Sequence, residues 1–290
     1  MVMTEPPDAL GELARQHGLR KVGERPGPIA YLKSLWAARS LLWAMASAKS
    51  YNQYQNNYLG QLWTVLSPLT LAVVYYLVFG VLLDTSSGTQ NYPAFLTIGI
   101  FIFLSMSATL TAGANAILNN MSVVRSVQFP RAVLPLSVSL AEMLNLLPAI
   151  GVMYVIVIIT GESLSWTWLL IPVVLALILM FTAGVCMIAA RIVVAARDLR
   201  NLIPMAIRVL RYGSGVFFSV QHYGEKAGPV IGAIMEYQPV ALYLNLARSC
   251  LMGEVEMTAD MWLVGLGWAV LFLVVGYVVF WSAEDQYGRD

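Results

Sequence analysis

Asn119–Pro135 reads NNMSVVRSVQFPRAVLP. Two long apolar segments, Pro93–Leu118 and Ala132–Thr160, flank it on either side. The stretch is far too short for a domain, yet long enough for one amphipathic helix lying flat on a membrane surface between two spans. Val123, Val124, Val127 and Phe129 alternate with Arg125, Ser126 and Gln128, while Pro130 and Pro135 bracket Arg131. Charge and periodicity leave two readings: an ordinary basic loop that fixes orientation, or a docking element for a cytoplasmic partner.

The rest of the chain makes a membrane setting compulsory. Of 290 residues, 59% are hydrophobic and 11% charged, and the mean hydropathy is +0.70, whereas a soluble domain carries about 25% charged residues. Six apolar segments have the roughly 20 residues a helical span needs. They are Leu62–Leu83, Pro93–Leu118, Ala132–Thr160, Trp168–Ala190, Leu202–Val220 and Met261–Trp281, with polar breaks between them. The expected fold is therefore an all-α integral membrane protein of six transmembrane helices. A net charge of +1 gives no reason to invoke a nucleic acid, and Cys186 and Cys250 cannot form a disulfide framework. Met1–Lys49 lacks the early apolar core and small-residue cleavage site of a signal peptide.

Residues 1–28 read as a polar, Pro-rich cytoplasmic tail, and residues 29–58 as an interfacial amphipathic helix followed by a polar ramp into the membrane. Lys33, Ser40 and Ser47 recur on one side of that helix, with Leu35, Leu42 and Met45 on the other and Trp36 and Trp43 suited to the headgroup level. Tyr51, Tyr54 and Tyr58 share a helical face. They read as interfacial tyrosines at the end of the polar ramp. With the N-terminus inside, the inner regions hold 15 of the 17 Lys and Arg residues, leaving Lys226 and Arg248 as outer-loop charges. That bias places both termini, including the tail 283–290, in the cytoplasm.

Two further features carry functional weight. The outer loop 221–260 has Gly224, Gly228 and Gly232 at every fourth position, then Tyr237, Pro239, Tyr243 and Leu246 at helical spacing. It is either an ordinary surface loop with a small helix or a pair of short re-entrant helices that dip in from outside. Glu142 and Asn145 in the third span, and Arg208 and Arg211 in the fifth, lie roughly 10–20 Å from the cytoplasmic face at 1.5 Å per residue. A charge at that depth needs a partner or water. Glu142 is expected to pair with one of the arginines; the other reading for an arginine is a phosphate contact, which its planar fork suits. Tyr75, Tyr76, Phe101 and Phe103 either line a path through the bundle or face lipid. No GxxxxGK[ST], HExxH or GxSxG pattern occurs, nor any Cys/His metal-ligand spacing. The expectation is a non-enzyme that binds no cofactor or metal itself.

Three stretches together carry a resemblance. FPRAVLPLSVSLAEMLN (Phe129–Asn145), LGQLWTVLSPL (Leu59–Leu69) and ARDL (Ala196–Leu199) resemble, in order, segments of ABC-2-type polysaccharide exporter permeases, especially the actinobacterial group that exports lipid-linked galactan. The resemblance implies an ABC-2 transmembrane domain over 59–282 in the plasma membrane. It implies a coupling helix at about 119–131, with Ser122, Arg125, Gln128, Phe129 and Arg131 facing an ABC ATPase that holds ATP and Mg. It also implies a permease homodimer and an extracellular gate in 221–260 that includes Gly224, Gly228, Gly232 and Tyr237. The implied cargo is a polyprenyl-pyrophosphate-linked polysaccharide, galactan or O-antigen-like, with Arg208, Arg211, Tyr54, Tyr58, Tyr75 and Phe101 along its path. Export of drugs or lipids by an ABC-2 permease and ion-driven flipping are the alternatives.

Overall fold

The computed structural model describes residues 26–53, 60–82, 89–220 and 228–287, and these form helices and connections with no strand among them. Tyr54, Tyr58 and Gly224 lie outside the described residues. Helices α1 (Pro28–Ala37) and α2 (Arg39–Asn52) occupy the segment expected as a single interfacial helix, with a bend at Ala38. As the heptad-like pattern requires, Leu35 is buried while Lys33, Trp36, Ser40 and Trp43 stay exposed.

Five helices are long and apolar enough to cross a membrane. The first is α3 (Trp63–Tyr75), continued by a π-helical stretch through Leu82. The others are α4 (Tyr92–Ala114), α6 (Val133–Ile159), α7 (Ile171–Ala195, led in by a 3-10 turn from Trp166) and α11 (Ala259–Ser282). Between α4 and α6 sits the short α5 (Met121–Ser126). After α7 come α8 (Leu202–Gly213), α9 (Pro229–Tyr237) and α10 (Pro239–Leu251).

The expected fifth span, 202–220, is corrected. α8 has 12 residues, about 18 Å of helix against a hydrocarbon core of about 30 Å. Gly213, Ser214 and Gly215 end it, and Gly215 adopts φ +66°, a conformation open to glycine at little cost. Residues 214–217 then turn inward and are buried.

α4 is the centre of the bundle. Asn91 caps it by accepting the Ala94 N–H at 3.3 Å. From Ala94 to Phe103 every residue is buried, as befits a helix apolar on all sides. α6, α7, α3, α10 and α8 all pack on it. α7 and α11 touch at Gly184 and Gly276, where a Cβ on Gly276 would lie 2.3 Å from the Gly184 carbonyl oxygen. Small residues let two backbones meet within a membrane. A second core gathers at one end, where Tyr31, Val124, Val133, Phe280 and Tyr287 bring the two ends of the described chain onto the α5–α6 corner.

Candidate functional site

The α4–α6 connection is not one helix to Arg131. A 3-10 turn over Leu118–Asn120 leads into α5, which stops at Ser126, and Val127 is extended. Pro130 accounts for the stop, because it disfavours helical backbone at Phe129. Val124 anchors α5 in the second core, and Phe129 packs against the same cluster. Ser122, Arg125 and Gln128 are exposed. Arg131 turns the other way. Its N–H donates to Glu284 Oε1 at 3.1 Å and its Nη1 donates to the Glu284 carbonyl. Tyr31 completes the knot, donating to Glu284 Oε2 at 2.8 Å while accepting the Ala132 N–H at 3.1 Å. Burial is the main cause that raises the Glu284 carboxyl, opposed by these hydrogen bonds and the Arg131 charge. Of the five expected coupling residues, three therefore face outward and two are tied inward.

At membrane depth, a groove of about 240 Å³ opens between α3, α4 and α6. Trp63 and Phe101 give it aromatic surface; Ser67, Ser105, Glu142 and Asn145 give it hydrogen-bonding groups. Phe101 is thus a groove residue, though only 1% exposed. Asn145 binds the end of α2 on both its amide atoms, accepting from the Ser50 hydroxyl at 2.6 Å and donating to Gln53 Oε1 at 2.7 Å. The expected pairing of Glu142 with Arg208 or Arg211 is not what the fold makes. The groups that act on Glu142 are the Asn145 amide and the Lys49 ammonium. Depth along a span was legible in the sequence, but the side of the bundle was not.

Arg208 and Arg211 part company on α8. Arg208 is exposed, while Arg211 is half-buried among aromatic rings. Its Nη1 donates to the Tyr75 hydroxyl at a long 3.4 Å, and its guanidinium lies 5.6 Å from the Phe103 ring centre. Its buried Nε has no hydrogen-bond partner. Tyr75 packs edge-on against Phe217 at 4.6 Å, which fixes the ring that meets the arginine. Phe103 also walls a small apolar cavity of about 80 Å³ with Leu210 and Val240.

The segment 228–252 shows what the sequence reading missed. Arg248 is fully buried. Its Nε donates to Phe95 O at 3.3 Å, Nη1 to Gly215 O at 2.9 Å and Asn245 Oδ1 at 3.3 Å, and Nη2 to Val216 O at 3.1 Å. The guanidinium stacks on the Phe95 ring at 3.4 Å. Gly99 makes room for it, since a Cβ there would fall 2.4 Å from Nη2. One side chain thus fastens α10 to α4 and holds the turn that ends α8. The available signal was a lone arginine inside an apolar run with helical spacing; counting it as an outer-loop charge concealed that. α10 is buried from Val240 to Leu251. Gly228 (φ +96°) precedes α9, and Gly232 lies in its first turn, its N–H bonded to Gly228 O. Tyr237, at the end of α9, is partly exposed, and its carbonyl accepts from Trp268 Nε1 at 2.9 Å.

Residues 40–252 match the profile of the ABC-2 type transporter family. The chain belongs to that family. Among similar proteins, an "O-antigen export system permease protein RfbA" of Myxococcus xanthus is 26% identical over 220 residues, 73% of this chain and 84% of that protein. A Klebsiella pneumoniae protein of the same name is 28% identical over 242 residues, 82% of this chain and 89% of its own. These relatives bear out the resemblance to polysaccharide exporter permeases. In this ABC-2 protein the matched region runs from α2 to α10, so it takes in the α5 connection, the groove, Arg211 and Arg248. It leaves out α11 and Glu284, although α11 is the main packing partner of α7.

Proposed function

We propose that this chain is the permease subunit of an ATP-driven exporter that carries a lipid-linked polysaccharide across the plasma membrane. The observation that carries the reading is likeness to O-antigen export permeases over 73–82% of the chain, joined to a membrane-depth groove in which aromatic faces stand beside hydroxyl, amide and carboxylate groups. Sugars present C–H faces to aromatic rings and hydroxyls to such groups, so this lining suits a glycan better than a purely apolar drug. The half-partnered Arg211 guanidinium suits the pyrophosphate of a polyprenyl carrier, because its fork can bond two phosphate oxygens. The polymer is galactan or O-antigen-like.

The ATPase is a separate chain that binds ATP and Mg, and it grips the exposed Ser122, Arg125 and Gln128. Both termini then lie in the cytoplasm, as the Lys and Arg bias requires. The position of α5 explains how hydrolysis reaches the cargo: α5 joins α4 to α6, and both helices wall the groove. A push on α5 is carried by Val124 into the packed corner below it and changes the spacing of the groove walls. Two permeases form the conduit. The thinly covered α3, which is 11% buried against 67% for α4, is the face left for a second copy. The short helices α9 and α10 serve as the outer gate.

The test is depletion of this chain in its host. Lipid-linked polysaccharide should accumulate on the cytoplasmic side and return to normal when wild-type protein is supplied. Normal export after depletion overturns the reading.

A further inference from the structure

The bend at Ala38 leaves a gap. α1 packs on α11, with the Tyr31 and Tyr277 rings 6.1 Å apart, while α2 packs on α6. Beneath the bend lies a groove of about 930 Å³. Its walls are Leu32 and Trp36 from α1, Leu42 from α2, Leu136 from α6, Met187 from α7 and Leu273 from α11. Its polar lining comes mainly from Lys33 and Arg39, both exposed, and no acidic residue lines it. No residue of α3, α4 or α8 reaches it either, so it is separate from the glycan groove and from Arg211.

An apolar slot with two cations at its rim fits an amphiphile with a negative head. We propose that it holds one anionic membrane phospholipid, its acyl chains against Leu136, Met187 and Leu273 and its phosphate on Lys33 and Arg39. The occupant is a membrane lipid rather than the cargo's carrier, because neither Arg211 nor any residue of the glycan groove lines the slot. The lipid fills the space that the bent pair straddles, and so fixes α1 and α2 against α6, α7 and α11. The end of α2 carries Ser50 and Gln53 to Asn145, so the lipid also steadies one wall of the glycan groove.

Native mass spectrometry of the full-length protein, offered phosphatidylglycerol or phosphatidylcholine with the same acyl chains, tests this. Each basic group near a lipid surface is worth roughly a fivefold factor. Wild-type protein should therefore retain phosphatidylglycerol about thirtyfold better. The double variant Lys33→Gln/Arg39→Gln, altered only at exposed positions, should fall to the phosphatidylcholine level with an unchanged unfolding temperature in lipid-free detergent. Leu273→Trp, at a half-buried position of the wall, should lower retention of both lipids by filling the slot. Equal retention of the two lipids by wild type overturns the proposal, as does full retention by the double variant. Stronger retention of polyprenyl phosphate would assign the slot to the carrier instead. Higher retention after removal of residues 1–25 would assign it to that segment.

Discussion

Two arginines on the same side of the bundle's central helix are treated in opposite ways. Arg248 is fully buried, each of its three nitrogens bonded to oxygen and its plane laid on Phe95. Arg211 is half-buried, with one long contact to Tyr75 and an Nε that bonds nothing. A buried cation is tolerated where its donors are satisfied and is costly where they are not. The difference teaches where to look for function: the shell around Arg248 is complete, whereas the shell around Arg211 leaves its Nε without a partner.

The largest effect should come from emptying the complete shell. Arg248→Met strands the carbonyls of Phe95, Gly215 and Val216, a loss of about 3 kcal/mol or more, seen as poor yield and a collapsed unfolding temperature in detergent. Gly99→Ala attacks the same shell through space, since its Cβ must displace Nη2; overpacking of this kind costs about 1–3 kcal/mol. If either variant were as stable as wild type, the architectural reading of Arg248 would fail. Asn145→Ala removes the two side-chain hydrogen bonds that Asn145 makes to Ser50 and Gln53 and should cost about 1–2 kcal/mol. Protease protection of the 39–52 segment should drop in that variant, and unchanged protection would show that Asn145 does not hold it.

The smallest effect is electrostatic. Burial makes folded Glu284 keep its proton to a higher pH than the unfolded chain does. The native state then binds the extra proton in the window from about 4.5 upward, so stability falls as pH rises through the raised value. Unfolding of the purified protein should show this fall, and Glu284→Gln should flatten it. A slope that persists in the variant would move its origin elsewhere.

The legible part of this fold was whatever depends on run length. Five spans were visible because about 20 apolar residues in a row leave little choice, and the helical character of residues 28–52 because its small, polar and large positions recur on a helical period. The 202–220 segment misled because its composition suits a span, whereas Gly213–Gly215 and the Arg248 grip on that turn decide otherwise. A sequence shows that Arg248 is charged, but not that three carbonyls from two distant segments converge on it. The connection was half legible. Ser122, Arg125 and Gln128 are exposed, but so are Val123 and Val127, so alternation did not set the buried face; Pro130 marked the helix stop, and nothing local tells that Arg131 answers to Glu284, 153 residues away. Glu142 failed because the charge acting on it is Lys49 on α2 rather than an arginine of α8, and depth alone does not say which helix lies opposite.

The claim that Arg211 serves the cargo while Arg248 serves the fold is tested most directly by ATP turnover of the reconstituted permease–ATPase complex, with and without a lipid-linked glycan, in wild type and Arg211→Gln. The account predicts that the variant keeps its basal turnover and its unfolding temperature while glycan stimulation falls about tenfold, the loss of one charge-assisted phosphate contact. Undiminished stimulation together with a lowered unfolding temperature would contradict it and make Arg211 a second structural arginine.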